Sequence, residues 1–430
     1  MAFDFSVEPE FQEKLDWIKQ FVEEEIYPLE TLDLDTPSLR EAIKPLQEEV
    51  KRKGLWAAHL DPELGGQGFG QLKLGLMQEL IGRTQFFYGS LVFGNQGPDS
   101  GNSEILALHG TEEQKKRYLE PLLAGDVLSA FALTERDVAG ADPTLIETTA
   151  RRDGDGYVLN GRKWFISNAS VADFFIVMAV VDPDASPHER ASMFLVDAGT
   201  AGLDILRDIE TIEHSGERYG HWENHAEVLL EDLRLPAEAM LGPEGAGFRL
   251  AQERLGPGRI HHCMRWVGQA QRAFDMICER AHTRFAHGAL LKDHETIQTW
   301  IADSAAEIQA ARLMTLHAAW VIDEKGPPDA RVEIGMIKYF GAEVLHNVID
   351  RAIQVHGSLG YSADLPLEYM YRFGRGARIY DGPDEVHRQS VARRILRQYG
   401  PAPGIFPSEH IPTRRQKAIE KYPQFAAVEG

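Results

Sequence analysis

The stretch Asp153-Gly-Asp-Gly-Tyr-Val-Leu-Asn-Gly-Arg-Lys-Trp-Phe-Ile-Ser167 decides which fold this chain can adopt. Its first four residues have the composition of a tight turn, and the β-branched and aromatic residues that follow are typical of a strand. Three further runs have the same character, at residues 174–181, 192–196 and 225–235. Because no helical segment lies between them, these runs predict a small antiparallel barrel or sandwich over about residues 128–236.

The chain on either side of this β region has a helical period. From Glu8 to about Ala124 the apolar residues recur every three or four positions, and Thr111 with Gln114 forms the pattern of a capping box at the start of a helix. The helical period returns over residues 245–397, in three or four long segments separated by glycine-containing breaks. Long amphipathic helices with short connections favour a helix bundle.

These changes of period predict an α+β protein with an all-α N-terminal domain, a middle antiparallel β domain and a C-terminal four-helix bundle. The predicted ranges are residues 1–127, 128–243 and 244–400, followed by a tail over residues 401–430. The tail is rich in proline and charge. We expect it to lie on the surface or to reach a neighbouring subunit.

Composition excludes several classes of function. The 430 residues are 43% apolar and 26% charged, which is enough to build a sizeable core. With 45 Lys and Arg against 66 Asp and Glu, the net charge is −21, which argues against a protein that coats nucleic acid or an anionic membrane. The longest apolar run, residues 174–181, is too short to span a bilayer. With only two cysteines and no recognisable targeting segment, we predict a cytoplasmic protein.

Several common sites are also absent from the sequence. The glycine-rich run Leu64-Gly-Gly-Gln-Gly-Phe-Gly70 follows no strand and matches neither dinucleotide fingerprint nor phosphate loop. His261 and His262 are adjacent, so on a helix they point about 100° apart and cannot share one metal ion. There is no serine elbow of the hydrolase type. We therefore predict neither a metal site nor a serine triad.

A more specific signal comes from six fragments that occur in order along the chain. They are Gly65-Gly-Gln-Gly68, His109-Gly-Thr-Glu-Glu-Gln-Lys-Lys-Arg-Tyr-Leu119, Leu133-Thr-Glu135, Lys163-Trp-Phe-Ile-Ser167, Leu230-Glu-Asp-Leu-Arg-Leu-Pro236 and Tyr380-Asp-Gly382. Each fragment alone is a weak signal. Together, in regions of the right periodicity, they resemble the acyl-CoA dehydrogenase flavoproteins over about residues 10–400.

The resemblance implies a particular reaction. In this family a carboxylate removes the α-proton of an acyl-CoA thioester, the β-hydride passes to FAD, and a trans-2-enoyl-CoA results. The α-proton is too weakly acidic for a carboxylate unless preorganised donors stabilise the developing enolate. In the family these donors are the backbone N–H of the base and a hydroxyl of the flavin ribityl chain. The implied cofactor is FAD.

Residues that match the family's flavin-binding positions come from the β region and the bundle. They are Phe131, Thr134, Phe165, Ser167, Arg284, His294, Gln354 and Gly357. The resemblance implies that Thr134 donates to the polar edge of the flavin and that Arg284 pairs with the pyrophosphate. The last three match residues that touch FAD across a subunit interface, so we expect a homodimer or homotetramer.

The resemblance also assigns the base and its neighbours. The base position is Asp381, where most members have Glu, and the shorter side chain loses roughly 1.5 Å of reach. Some members have their base on the first bundle helix, but here that position is Gly258. Arg259 matches an arginine near the thioester, and Tyr380 and Gly382 flank the base, so we expect these three to bind substrate.

Three segments, residues 134–142, 254–266 and 381–387, resemble one branch of the family. In animals this branch is fused to a kinase-like domain, and it also occurs as free-standing proteins. The resemblance implies an acyl-CoA substrate and an electron-transfer flavoprotein as electron acceptor. Two alternatives stay open. One is a flavin oxidase like nitroalkane oxidase, which also uses Asp as base, and the other is a non-catalytic flavin-containing binding protein.

Overall fold

The computed structural model of this chain describes residues 6–32, 34–85, 88–213, 224–402 and 404–425, without the side chains of residues 255–257. Helices come first, a β-sheet follows, and a second set of helices closes the chain. Each of these regions has a buried apolar core of its own. The predicted α+β architecture is therefore confirmed.

The regular elements in the described part of the N-terminal region are all helices, joined by loops. Its helices are α1 (Pro9–Phe21), α2 (Thr36–Arg52), α3 (Gly70–Ile81), α4 (Tyr88–Val92), α5 (Asp99–His109) and α6 (residues 112–124). Two π-helical turns, Val22–Ile26 and Lys115–Leu119, extend α1 and interrupt α6. The predicted capping box is present at α6, where Thr111 accepts a bond from the Gln114 N–H and Gln114 accepts one in return.

The middle region forms one eight-stranded sheet in the described part of the chain. Its strands are β1 (Ser129–Ala132), β2 (Thr149–Asp153), β3 (Gly156–Ser167), β4 (Phe174–Val180), β5 (Ala191–Asp197), β6 (Leu203–Ile209), β7 (His225–Pro236) and β8 (Met240–Leu241). The pairing order is β6-β7-β3-β2-β4-β5-β8, with β1 beside β4. Most pairs are antiparallel as expected, but β1 and β2 both pair with β4 in parallel.

The quoted stretch forms the predicted hairpin. β2 and β3 pair antiparallel around Gly154, whose φ of +59° is the left-handed conformation that a tight turn requires. β3 continues beyond the hairpin to pair with β7, and two register shifts interrupt this pairing. One shift lies between Lys163 and Ile166 and turns Phe165 out of the sheet. That shift helps to build the site described below.

The C-terminal region is built on three long helices and a shorter fourth one that packs on the third. The helices are α7 (Gly247–Thr283), α8 (Glu295–Lys325), α9 (Arg331–His356), α10 (Leu367–Gly376), α11 (Asp384–Leu396) and α12 (Ile411–Lys421). A short hairpin, β9 (Phe285–Ala286) with β10 (Ala289–Leu290), joins α7 to α8. In the predicted tail, α12 contributes no buried residue.

Candidate active site

The predicted base lies in the connection between α10 and α11. Asp381 has φ +54° and Gly382 has φ +100°, so two successive residues adopt the left-handed conformation. A Cβ on residue 382 would lie 2.8 Å from Nε2 of His387, which explains why this position is a glycine. A non-glycine residue in this conformation is strained, and strain of this kind is concentrated at functional sites. The Asp381 side chain is 22% exposed.

Three cationic or imidazole side chains hold this connection through its carbonyl groups. Arg259 donates to the Asp381 carbonyl from Nε and Nη2, at 3.3 and 3.2 Å, and Nε2 of His387 lies 3.1 Å from the same oxygen. Lys338, which is fully buried on α9, donates to the carbonyls of Ala377 and Gly382 at 2.7 and 3.3 Å. The backbone that carries the base is therefore anchored to both α7 and α9.

The Asp381 carboxylate has an imidazole partner. Nε2 of His262 lies 3.1 Å from Oδ2 of Asp381. Burial alone would raise the pKa of Asp381, but the contact with His262, the charge that this imidazole carries when protonated and the charges of Arg259 and Lys338 outweigh it and lower that pKa below its usual value. The carboxylate is therefore ionised at neutral pH, as a general base must be.

His262 itself is held by a neighbour one turn along α7. Arg265 donates from Nη2 to Nδ1 of His262 at 2.8 Å and from Nη1 to Oε1 of Gln78 at 2.9 Å. Burial, followed by the charge of Arg265, lowers the pKa of His262, although the contact with Asp381 opposes this shift. A guanidinium can only donate, so Nδ1 of His262 must accept from Arg265 and cannot carry a proton. We therefore assign His262 as neutral.

An aromatic wall completes this side of the site. Trp266 donates from Nε1 to the hydroxyl of Tyr380 at 3.0 Å, and the Lys338 ammonium lies 5.2 and 5.4 Å from the centres of these two rings. Burial raises the pKa of Tyr380 well above its usual value, so the phenol stays neutral. Tyr380 and Gly382 thus flank the base, as the sequence predicted, and the ring of Tyr380 forms an apolar surface beside it.

A second group of predicted residues lies on the sheet. Phe165 sits at the shift in β3 with φ +51° and is 45% exposed, edge-to-face with Trp164. The Thr134 hydroxyl donates to the Trp164 carbonyl at 2.7 Å. Ser167 Oγ lies 3.0 Å from Nδ1 of His225. The group presents an aromatic face between two hydroxyl groups.

Phe131 connects this sheet surface to the base. The Arg254 guanidinium lies 4.3 Å from the centre of its ring, and Arg254 also donates to Asn102 at 3.0 Å. Burial lowers the pKa of Arg254, and the charge of Asp381 is the first of the opposing influences. Arg254 thus lies within electrostatic range of the base while it stacks on Phe131. The sheet group and Asp381 accordingly belong to one region of the fold.

The third predicted group lies at the far end of the bundle. Arg284 follows the last residue of α7, His294 precedes α8, and Gln354 and Gly357 end α9. Arg284 comes 22 residues after His262 along α7, which corresponds to about 33 Å at 1.5 Å per residue. Arg284 and Gln354 are exposed, and no described residue forms a salt bridge with Arg284. One chain therefore does not bring this group to its own Asp381.

Sequence reasoning missed the side chains that surround the base. His262, Arg265, Lys338, Arg254 and His387 were not assigned to the site. Arg259, His262 and Arg265 recur every three residues, so a helical projection would have placed them on one face of α7. Such a projection does not reveal what that face contacts. Asp381 is more than a hundred residues away in the sequence.

Comparison with known families gives the identity of the fold. Three family models match, described as acyl-CoA dehydrogenase N-terminal domain over residues 8–126, middle domain over residues 130–221 and C-terminal domain over residues 245–396. This chain belongs to the acyl-CoA dehydrogenase family.

Individual relatives agree with this assignment. FadE2 of Mycobacterium tuberculosis is 43% identical over 356 residues, covering 82% of this chain and 85% of the relative. Mouse acyl-CoA dehydrogenase family member 11 is 41% identical over 399 residues, or 90% of this chain, but the chain spans only about half of that relative's length. The solved butyryl-CoA dehydrogenase of Megasphaera elsdenii has a TM-score of 0.78 at 28% identity, covering 92% of this chain and all of that one.

Two negative findings concern the described residues alone. They contain no group of three or more His, Cys, Asp or Glu side chains arranged to hold a metal ion. No helix among them combines the length and apolar character needed to cross a membrane.

Proposed function

We propose that this protein catalyses the α,β-dehydrogenation of an acyl-CoA thioester to a trans-2-enoyl-CoA, with Asp381 as the base that removes the α-proton. The observation that carries the proposal is the Asp381 carboxylate itself. It is ionised and largely buried, and in the described part of the chain its Oδ1 oxygen makes no hydrogen bond. FAD, when bound, supplies the acceptor for the β-hydride.

The residues present fit a flavin. The exposed ring of Phe165, held out of β3 by a strained backbone, offers a flat apolar face, and Thr134 and Ser167 place hydroxyl oxygens nearby. Because the Thr134 proton is committed to Trp164, we expect its oxygen to accept a bond from the ligand. Arg284 has an exposed guanidinium without a salt-bridge partner among the described residues, which suits a pyrophosphate.

The backbone of the base supports the second requirement, stabilisation of the enolate. No described acceptor receives a hydrogen bond from the Asp381 N–H, so this donor is available to a thioester oxygen. Arg259, His387 and Lys338 hold the adjoining carbonyls, so the N–H points in a fixed direction. A preorganised donor of this kind is worth roughly 3–4 kcal/mol in other enzymes that form oxyanions.

The separation within the bundle supports an oligomer. Arg284, His294, Gln354 and Gly357 lie at helix ends of the bundle, and Arg284 is about 33 Å along α7 from His262, which contacts the base. We propose that they complete the flavin site of a second copy, in a homodimer or homotetramer. An electron-transfer flavoprotein as the electron acceptor and a cytoplasmic location both stay predictions of the sequence.

Anaerobic titration with acyl-CoA substrates tests the proposed reaction. We expect the purified yellow protein to lose its absorbance near 450 nm when an accepted acyl-CoA is added. Asp381→Asn should retain bound flavin and lose this bleaching, because the amide cannot take up the α-proton. Full reduction of the Asn variant would remove Asp381 from the mechanism.

The use of Asp as base favours one other reaction, the oxidation of nitroalkanes, whose α-proton is far more acidic. Turnover of nitroethane with peroxide release, and no bleaching by any acyl-CoA, would establish that alternative. Flavin that neither class of compound reduces would instead favour a non-catalytic binding protein.

A further inference from the structure

We infer that His262 is the positioning residue of the base: its neutral imidazole holds Oδ2 of Asp381 and leaves Oδ1 as the oxygen that takes up the substrate proton. The inference rests on the proposed function of Asp381 and deepens it. It assigns a task to a residue that sequence reasoning considered only as a metal ligand and rejected.

The hydrogen bonds around His262 have a fixed direction. A guanidinium has only donors, so Arg265 Nη2 at 2.8 Å from Nδ1 makes that nitrogen an acceptor. The imidazole proton must then lie on Nε2, the nitrogen that is 3.1 Å from Oδ2 of Asp381. Arg265 is in turn fixed by the buried Gln78 of α3. The N-terminal region thus determines the tautomer of His262 through Arg265.

The other cations near the base donate their hydrogen bonds to groups other than its carboxylate. Arg259 donates to the Asp381 carbonyl, and Lys338 donates to the carbonyls of Ala377 and Gly382. Arg254 donates to Asn102 and Pro98. Among the described residues, His262 is therefore the only Lys, Arg or His side chain with a nitrogen within 4 Å of the Asp381 carboxylate oxygens.

The groups that surround His262 and Asp381 are positively charged or neutral. The titratable and charged groups that face His262 and Asp381 come from three helices and the connection between two of them. They are Arg254, Arg259, Cys263, Arg265, Lys338, Tyr380 and His387. Burial and the nearby cations lower the pKa values of His262 and His387, and burial raises those of Cys263 and Tyr380. At neutral pH the base thus faces cations and neutral groups.

The contact with His262 matters because the Asp381 side chain is shorter than the glutamate of most family members. The terminal torsion of an aspartate is broad and roughly two-fold, so an unrestrained carboxylate rotates easily. An aspartate is one methylene shorter than a glutamate, so its carboxylate can move less to reach the α-carbon of the substrate. A contact between His262 and Oδ2 limits this rotation and leaves Oδ1 without a hydrogen bond to any described residue.

Two substitutions at His262 separate positioning from packing. His262→Gln retains an N–H donor at nearly the same place, whereas His262→Leu has similar volume and no donor. We expect the Leu variant to reduce its flavin about 10- to 100-fold more slowly at pH 7, with little change in acyl-CoA affinity, and the Gln variant to stay within about 5-fold of the parent. His261→Leu, which changes the neighbouring buried histidine, is the matched control and should behave as the parent.

The pH profile gives a readout that a structural role would not change. Loss of the N–H donor raises the pKa of Asp381, so the acidic limb of the flavin-reduction rate should move to higher pH in His262→Leu and less so in His262→Gln. Equal losses in the Leu and Gln variants without a shift of the limb, or an equal loss in His261→Leu, would overturn the inference.

Nitrogen-15 NMR of the histidine-labelled parent tests the geometry without turnover. With His262→Gln used to assign the signal, we expect a proton on Nε2 and an unprotonated Nδ1 at pH 7. A proton on Nδ1 would refute the inference even if acyl-CoA bleaches the flavin. A parent protein that no acyl-CoA bleaches, with the expected tautomer, would instead refute the proposed function and leave the Asp381–His262 pair intact.

Discussion

Two largely buried carboxylates, Glu135 of the sheet region and Asp381 of the bundle, have pKa values that are both below the usual range, yet their surroundings differ. The Glu135 carboxylate accepts from Lys163 at 2.8 Å, from the Thr148 N–H at 3.0 Å and from the Glu147 N–H at 2.7 Å. Both its oxygens are used. Asp381 has His262 on one oxygen, while the other makes no hydrogen bond with a described residue.

This difference separates a structural ion pair from a candidate base. A depressed pKa occurs in both, so the pKa alone does not identify the base. Exposure and hydrogen bonding distinguish the two carboxylates. The Glu135 side chain is 6% exposed and both its oxygens accept hydrogen bonds, whereas the Asp381 side chain is 22% exposed and its Oδ1 accepts none from a described residue. Glu135 and Lys163 nevertheless serve the site, since they hold the segment that carries Thr134.

The largest expected effect is on chemistry at Asp381. Asp381→Asn should lower the rate of flavin reduction by about 10²- to 10⁴-fold, the range typical of general bases, while the flavin stays bound. Stopped-flow absorbance under anaerobic conditions measures this. A rate within about 10-fold of the parent would break the comparison, since Asp381 would then be as structural as Glu135.

The matched substitution in the sheet should act on stability. Glu135→Gln leaves the buried ammonium of Lys163 without a counter-charge, and we expect a loss of about 3–5 kcal/mol in the free energy of unfolding. The pKa of Glu135 in the folded protein lies below that of an unfolded glutamate. Its contribution to the free energy of unfolding is therefore complete above about pH 4.5 and is lost as the pH falls through its pKa in the folded protein. Denaturant unfolding at pH 7 and at pH 4 should therefore show that the parent and Glu135→Gln differ less in free energy of unfolding at pH 4.

The double variant Glu135→Gln/Lys163→Met is the control for that loss. Replacing both charges removes the unpaired ion, so we expect most of the lost unfolding free energy to return. If the double variant is as unstable as the single one, the cost arises from packing or from the two backbone N–H groups, and not from the charge.

A smaller effect should follow from moving the carboxylate. Gly258 is the family's alternative base position, and open space lies beside its Cα. In the Asp381→Asn background we expect Gly258→Glu to restore the flavin-reduction rate by about 10-fold, because a glutamate there can approach the same site. Gly258→Gln in that background is the matched control. Equal rates for Glu and Gln would show that position 258 does not reach the substrate.

The smallest expected effect concerns a third carboxyl group, which lacks such partners. Burial raises the pKa of Glu104 to about 7, so the loss of stability that its ionisation causes grows from the unfolded pKa up to that value and is complete above it. Glu104→Gln should therefore raise Tm by about 2–4 °C at pH 8 and leave it nearly unchanged at pH 4.5. Scanning calorimetry at the two pH values measures this, and a stabilisation that is larger at pH 4.5 would contradict the assigned shift.

The elements that the sequence predicted best are those with strong local signals. The hairpin around Gly154 and the capping box of Thr111 and Gln114 both depend on residues close together in the chain. β6, Leu203–Ile209, was not predicted, because at the edge of the sheet it buries mainly its two end residues and lacks a regular apolar alternation. The parallel pairing of β1 with β4 depends on segments about 45 residues apart, which local pattern cannot reveal.

The order of helices, sheet and bundle, the family and the identity of the candidate base follow from the amino-acid sequence alone, because periodicity and short motifs are local properties. The tertiary structure alone decided which side chains surround that base. Packing of α3, α7 and the connection before α11 brings Gln78, the pair His262 and Arg265, and Asp381 together. These three elements lie far apart in the chain, and the helical period does not specify what each helix face contacts. Electrostatic and hydrogen-bond effects act at the distances that folding creates, and these distances decide whether a carboxylate becomes an ion-pair partner or a base.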